Sequence, residues 1–433
     1  MKQIVVRRIL GAGLLTILVG VMVHAPLSVG LGTVLPGYAL EIKAWKELVM
    51  VVLVGLAIVL VLHQGRLRHL YNDWIVRLML AYAALHLMLL PLFWQGLLPS
   101  IAGLMIDLRF IVFFLLCYIY AQLEPNALRQ FLLAGTIGLA VVVGFGLLQI
   151  TVLPADILTH IGYGKETIAP YTTIDTNSAF IRINSTLRGP NPLGALMVIA
   201  VSGLVAWWMY ARRTLTRVQQ LESVAALMAV GAVLVASYSR SAYLAAVVAF
   251  AVLMYVSYGK VQRRHLAAAI GVGGVMIVAA YGIQHTSWYQ NVILHESPTS
   301  TVVRKSNDEH VRSLSSAASL VANHPLGTGV GSTGSAGLYG SKSTTMVENY
   351  FLFVALESGW LGLGLFGSAT VLVLRRLWQY RREWHARAML ASGLAMLVIG
   401  LLLPVWADDT VALVWWGMTG GVLGHFLGQS RQQ

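Results

Sequence analysis

Along this chain, long apolar runs alternate with short polar connectors, and the runs are too continuous for the one-sided helices of a water-soluble core. They predict spans near 1 to 25, 47 to 63, 76 to 94, 101 to 121, 129 to 153, 191 to 210, 221 to 237, 241 to 258, 266 to 284, 349 to 374, 387 to 404 and 411 to 428. Each approaches the length that crosses ~30 Å of hydrocarbon at ~1.5 Å per residue. The fold class expected is therefore an all-α polytopic membrane protein with about twelve transmembrane helices. The first run, with Lys2, Arg7 and Arg8 ahead of it and Val23-His24-Ala25 behind, also has the form of a secretory signal; it is read here as an uncleaved first span. The stretch 221 to 258 is interrupted only at Ser237-Tyr-Ser-Arg-Ser241, which predicts two short spans joined by a tight external turn.

Two connectors exceed the ordinary length and divide the chain. The organisation predicted is a bundle over 1–153, a loop over 154–190, spans six to nine over 191–284, a large loop over 285–348, and the last three spans over 349–433. Within the large loop, 313 to 322 has the pattern of a short amphipathic helix. His324-Pro-Leu-Gly-Thr-Gly-Val-Gly-Ser-Thr-Gly334 follows and reads as a flexible, breaker-rich segment.

Composition agrees: 57% of residues are hydrophobic and 11% charged, far below the ~25% charged of soluble domains. The net charge of +13 does not indicate nucleic acid, because the basic residues fall in short clusters between apolar runs. Arg66, Arg68 and Arg77, then Arg212, Arg213 and Arg217, then Lys260, Arg263 and Arg264, then Arg375 to Arg387 all fall on one side if the N-terminus is cytoplasmic. The short loops 95 to 100 and 405 to 410 carry no Lys or Arg, so both termini are expected inside. Cys117, the single cysteine, excludes an intrachain disulfide framework.

The remaining ionisable groups concentrate toward the external side, where charges near the membrane are candidates for function. Lys46 with Glu47 and Asp107 with Arg109 are read as structural or cavity partners. Arg188-Gly-Pro-Asn-Pro192 predicts a helix start with Asn191 as cap and Pro192 in the first turn, and an arginine beside free N–H groups suits an anion. Arg182, Arg240 and Arg312 join Arg188 as candidates to hold a diphosphate headgroup. Glu348, at the mouth of a long apolar segment, is placed to stay ionised and take a proton from a sugar hydroxyl. Asn349 beside it would orient the acceptor or the carboxylate. Glu357 is not its dyad partner, since nine residues turn a helix by ~900° and raise it by ~13 Å; it is read as structural.

Other signals lead nowhere. Gly329-Val-Gly331-Ser-Thr-Gly334 spells a dinucleotide fingerprint with no strand before it, and Gly340-Ser-Lys342-Ser lacks the order of a P-loop. His285, His295, His310 and His324 lack metal-ligand spacing, so no metal is expected. Asp408-Asp409 is read as a solvated turn. Asn184-Ser-Thr186 spells a glycosylation acceptor and nothing supports its use.

In its C-terminal half the chain resembles the O-antigen ligase/polymerase family of bacterial membrane glycosyltransferases. The likeness is carried by Ser185-Thr-Leu-Arg-Gly-Pro-Asn-Pro-Leu-Gly194, Ser237-Tyr-Ser-Arg-Ser-Ala242, Glu309-His-Val-Arg312, Asn323-His-Pro-Leu-Gly-Thr-Gly-Val-Gly331, Glu348-Asn-Tyr-Phe351 and Glu357-Ser-Gly-Trp-Leu-Gly362. The resemblance implies a GT-C-like helical fold in the bacterial cytoplasmic membrane, with its active site facing outward. It implies transfer of a glycan from an undecaprenyl-diphosphate carrier to an acceptor hydroxyl, with inversion, without a metal and without a cofactor. It also implies as partners an acceptor glycan or glycolipid and membrane lipids, with a chain-length regulator or flippase as further candidates. Arg188 and Arg312 match arginines that hold the diphosphate, and Arg240 matches the Ser-Arg motif. Glu348 stands where ligases carry histidine, a departure that favours polymerisation of repeat units over ligation to lipid A-core. A polytopic transporter is the reading from another class, disfavoured because the ionisable groups gather at one side.

Overall fold

The structure is a computed structural model that describes residues 2–174, 177–258, 286, 306–340 and 344–430. Among these residues ten helices are long and apolar enough to cross a membrane, with a shorter apolar helix beside them. The long ones are α1 (Gln3–Val34), α2 (Trp45–His63), α3 (Trp74–Leu92), α4 (Leu97–Leu123), α5 (Ala127–Thr151), α6 (Pro190–Ala211), α7 (Arg217–Ala236) and α8 (Arg240–Tyr258). After the amphipathic α9 (Ser306–Asn323) come α10 (Tyr350–Gln379), the shorter α11 (Trp384–Gly400) and α12 (Asp409–Gln429). The chain is an all-α, polytopic integral membrane protein. The expected span at 266 to 284 lies outside the described residues.

Polar residues set several helix starts by accepting from free N–H groups of the first turn. Asp73 caps α3, Thr216 and Gln219 form a capping box on α7, Asn349 caps α10 and Asp408 caps α12. The core lies where α4 runs along α12. A methyl at Gly420 would stand 2.4 Å from the Phe114 carbonyl oxygen, and one at Gly424 2.3 Å from that of Tyr118. Only glycine permits this approach, as is usual where helices pack without a hydrophobic driving force. Phe110, Phe366, Trp406, Trp415 and Trp416 fill the space above it with edge-to-face and tilted contacts.

One end of the bundle is tied by cations. Arg7 donates to the Leu123 carbonyl at 2.8 Å and pairs with Glu124 at 3.3 Å, and Arg66 donates to Gln122 O at 3.3 Å. Arg376 and the Tyr118 hydroxyl both reach Oδ2 of Asp73 at 2.5 Å. Burial alone would push the Asp73 carboxyl up, but these two hydrogen bonds hold it below the usual carboxylate range.

The opposite end carries the long connectors. The loop 154–190 contains an antiparallel hairpin, β1 (Thr172–Ile174) and β2 (Asn177–Arg182), with Thr172 opposite Arg182. No strand was expected there. α9 begins earlier than the predicted 313 to 322. The breaker-rich stretch after it corrects a second expectation, because it is docked inside the bundle rather than flexible.

That docking answers a break in α10, which was expected to be continuous. Gly359 has φ 70° and ψ −176°, so the helix stops and restarts. The carbonyls thus freed are met by the loop: Thr328 N donates to Leu356 O at 2.6 Å and Gly329 N to Glu357 O at 3.1 Å. In return Trp360 N donates to Pro325 O at 3.0 Å. On its other flank the loop touches α4, where a methyl on Gly331 would fall 2.1 Å from Pro99 O. Irregular backbone at membrane depth is tolerated because each freed group finds a protein partner.

Candidate active site

Glu348 is not part of α10. It lies one residue ahead of the Asn349 cap, in irregular backbone after the Gly-rich loop. The Asn349 side chain is occupied on both sides: Oδ1 accepts from Leu352 N and Nδ2 donates to Leu401 O, each at 3.0 Å. It fixes the end of the helix, and with it the backbone that carries Glu348.

Two adjoining cavities meet at Glu348. The larger, ≈ 580 Å³, is lined by Arg182, Arg240, Tyr238, Ser241 and Asn349, with an apolar flank of Leu244, Val311 and Leu401 to Leu403. The smaller, ≈ 440 Å³, carries Arg188, Asp408, Gly334 and Ser335. Asn191, Glu348 and Leu403 line both. A carboxylate thus stands between guanidinium groups contributed by different segments, with apolar surface alongside. Such a site suits an anion carried on a lipid, approached by a neutral hydroxyl.

The arginines differ in their freedom. Arg182, at the end of β2, donates to Asn191 Oδ1 at 2.7 Å and to Ser237 O at 3.1 Å. Burial pushes it down to about 10, Tyr243 opposing and Arg240 adding to the shift, so it is a cation at neutral pH. Arg188 is exposed just ahead of α6. The start of α6 differs from expectation: Gly189 is the cap and Pro190 opens the helix, while Asn191 serves Arg182 instead of the helix end. Arg240 is half-buried at the first residue of α8, and Arg312 is exposed on α9 next to Val311, which lines the larger cavity.

Residues 223–367 match the family model for O-antigen ligase. Over that segment the chain is similar to the O-antigen ligase family. The match supports the O-antigen ligase/polymerase family and with it a membrane enzyme of glycosyltransferase type. The O-antigen ligase segment runs from α7 into α10, so it holds Arg240, Arg312, Glu348 and Glu357 and leaves Arg182 and Arg188 ahead of it. No curated protein matches the chain.

Next to Asp408, which lines the smaller cavity, Asp409 belongs to a buried ion network. Lys46 pairs with Asp409 at 3.0 Å and with Glu47 at 3.3 Å, and Glu47 is 3.6 Å from Arg109. Arg109 also donates to the Ala407 carbonyl. Trp45 donates its indole N–H to His24 Nδ1 at 3.0 Å, which leaves the His24 proton on Nε2, 3.4 Å from Asp409 Oδ2. Asp409 is 1% exposed, so the expected solvated turn is instead an anchor. Burial and the Asp409 charge beside it push the Asp408 carboxyl up, with Arg188 and Arg109 opposing.

The expected partnership of Asp107 with Arg109 is replaced by two others. Asp107 faces His86, whose Nε2 is 3.5 Å away, and Glu357. Residues two apart on a helix do not share a face, so the pair separates into different networks. His24, His86 and Thr333 were not singled out in the sequence; a polar group inside an apolar span was the available signal for the two histidines.

Proposed function

We propose that the chain transfers a glycan from an undecaprenyl-diphosphate carrier to an acceptor hydroxyl at the outer face of a bacterial cytoplasmic membrane, joining repeat units of a surface polysaccharide. The observation that carries the reading is the position of Glu348 at the junction of two cavities, one holding Arg240 and the other Arg188. In the reaction proposed, the acceptor oxygen attacks the anomeric carbon from the face opposite the diphosphate. Its proton passes to Glu348, the bond from that carbon to the diphosphate oxygen breaks, and the configuration inverts. Arg188 and Arg240 stabilise the charge that grows on the leaving group, usually the largest contribution in such transfers. Arg182 adds positive potential and holds Asn191, Arg312 meets the headgroup at the rim, and Asn349 holds the backbone of Glu348. The donor is the lipid-linked glycan itself, and no further cofactor is assigned.

Ligation to lipid A-core is the second reading, favoured by the description of the matched family. The carboxylate at a position where the family's ligases carry histidine favours polymerisation. Mass spectrometry of carrier-linked glycans after loss of the gene separates them: single repeats accumulate if a polymerase is lost, long chains if a ligase is lost.

The assignment of the base is tested with purified protein and lipid-linked donor. Glu348→Gln is expected to lower turnover by about 10²- to 10⁴-fold, the usual contribution of a general base. Near-normal turnover at normal protein levels would remove Glu348 from the mechanism.

A further inference from the structure

Glu357 is far along α10 from Glu348, yet a short polar chain joins them. Its Oε2 accepts from Gly331 N at 3.0 Å, and its Oε1 accepts from Thr333 N at 3.1 Å and from the Thr333 hydroxyl at 2.7 Å. At 1% exposure, with these donors in place, Glu357 is an anchor and not a substrate ligand. Thr333 pairs onward with Thr345 in a parallel bridge, and Gly334 N donates to Thr345 O at 3.2 Å. Thr345 is three residues before Glu348. Gly334 and Ser335, directly after Thr333, line the smaller cavity together with Met346, Val347 and Glu348.

We propose that Thr333 is a positioning residue for the transfer: held by Glu357, it sets through Thr345 where the segment carrying Glu348 lies, and so where the carboxylate meets the acceptor hydroxyl. The proposal rests on the reading of Glu348 as the base. It gives the buried acid and the Gly-rich loop one shared purpose. The loop carries a rigid reference point from the transmembrane helix to the site, because the base itself sits on irregular backbone that has no helix to fix it. Thr333 is suited to this by carrying two donors, N–H and O–H, to one carboxylate oxygen while the next residue, Gly334, donates its N–H to Thr345.

The experiment compares Thr333→Val and Thr333→Ser, in the wild-type chain and in a Glu348→Asp background, with Tm, donor KM and kcat measured on detergent-purified full-length protein. Thr333→Val keeps the shape and loses the hydroxyl. It is expected to lower kcat about 10- to 100-fold, the effect of an ångström-scale misplacement, with donor KM little changed and Tm lowered but the protein still folded at the assay temperature. Thr333→Ser restores the hydroxyl and most of kcat. In the Glu348→Asp background, where the base is already displaced, the valine substitution is expected to cost less than about threefold, because coupled residues are not additive. Should the valine variant not fold, Thr333→Ala makes the same comparison. Wild-type kcat in the variants lacking the hydroxyl, equal losses in both backgrounds, or a serine variant as impaired as valine would each overturn the proposal. Glu348→Gln run alongside keeps the two readings apart: if it is active the base assignment fails, and if it is inactive while Thr333→Val is normal, only the positioning role fails.

Discussion

Arg182 donates through Nη2 to Asn191 Oδ1 at 2.7 Å, which joins the end of a surface hairpin to the first turn of a transmembrane helix. Because Asn191 lines both cavities, this bond also sets the shape of the proposed donor site. Asn191→Leu is expected to lower stability by about 1–3 kcal/mol, the usual effect of leaving a charged donor without its acceptor, and to raise donor KM. Asn191→Asp keeps an acceptor oxygen and should remain near wild-type stability. Thermal unfolding in detergent and a donor titration check both.

The docked loop makes a sharp distinction between glycines. Gly331 has φ 80° and no room for a side chain against Pro99, whereas a methyl at Gly364 in α10 meets nothing within 4 Å. Gly331→Ala is expected to abolish accumulation of folded protein, while Gly364→Ala is neutral or slightly stabilising, since alanine is the better helix former by up to ~1 kcal/mol. Fluorescence-detected size-exclusion chromatography of the two variants decides this.

The network around Asp409 predicts a penalty that a second substitution relieves. Asp409→Asn leaves the buried cations Lys46 and Arg109 to share the single carboxylate of Glu47 and is expected to cost up to about 3–5 kcal/mol. Replacing both, as Lys46→Met with Asp409→Leu, removes the surplus cation, leaves Glu47 with Arg109 and should recover part of that loss. Unfolding midpoints of the single and double variants measure the recovery.

At the other end of the bundle, Asp73 gives a pH dependence with a defined sign. Its folded carboxyl titrates below the ordinary value, so its stabilising contribution is complete above pH ~4 and is lost as pH falls through the lowered folded value. Asp73→Asn keeps the cap on Ile75 but not the ion pair with Arg376. The variant should be less stable than wild type at pH 7 and converge with it in acid. Tm measured from neutral pH down to about 3 tests this.

Apolar runs located the helices well, Trp45–His63 against an expected 47 to 63 and Tyr350 against 349, because burial in lipid depends on summed hydropathy over a whole span. Glu348 was legible for the same reason, as a charge at the end of such a run. The break at Gly359 was not, since Gly362, Gly364 and Gly367 have similar surroundings and remain helical; only contact with Pro325 and Leu326 distinguishes it. Asn191 misled because its spacing before proline is that of a cap, while its partner Arg182 lies on a hairpin too short to announce itself. The burial of Asp409 depends on Lys46 and His24 near the start of the chain, a contact that no local pattern encodes.

The loop over 325–333 is held by residues made before it, Gln95 and Pro99, and by residues made after it, Glu357 and Gly359. It can take its place only after α10 has been made. Until then the carbonyls of Leu356 and Glu357 lack the N–H groups of Thr328 and Gly329. Formation of the last three helices is therefore not the end of folding for this chain: the break in α10 is closed, and the proposed site completed, only when this one short polar segment has docked between partners drawn from both sides of it in the sequence.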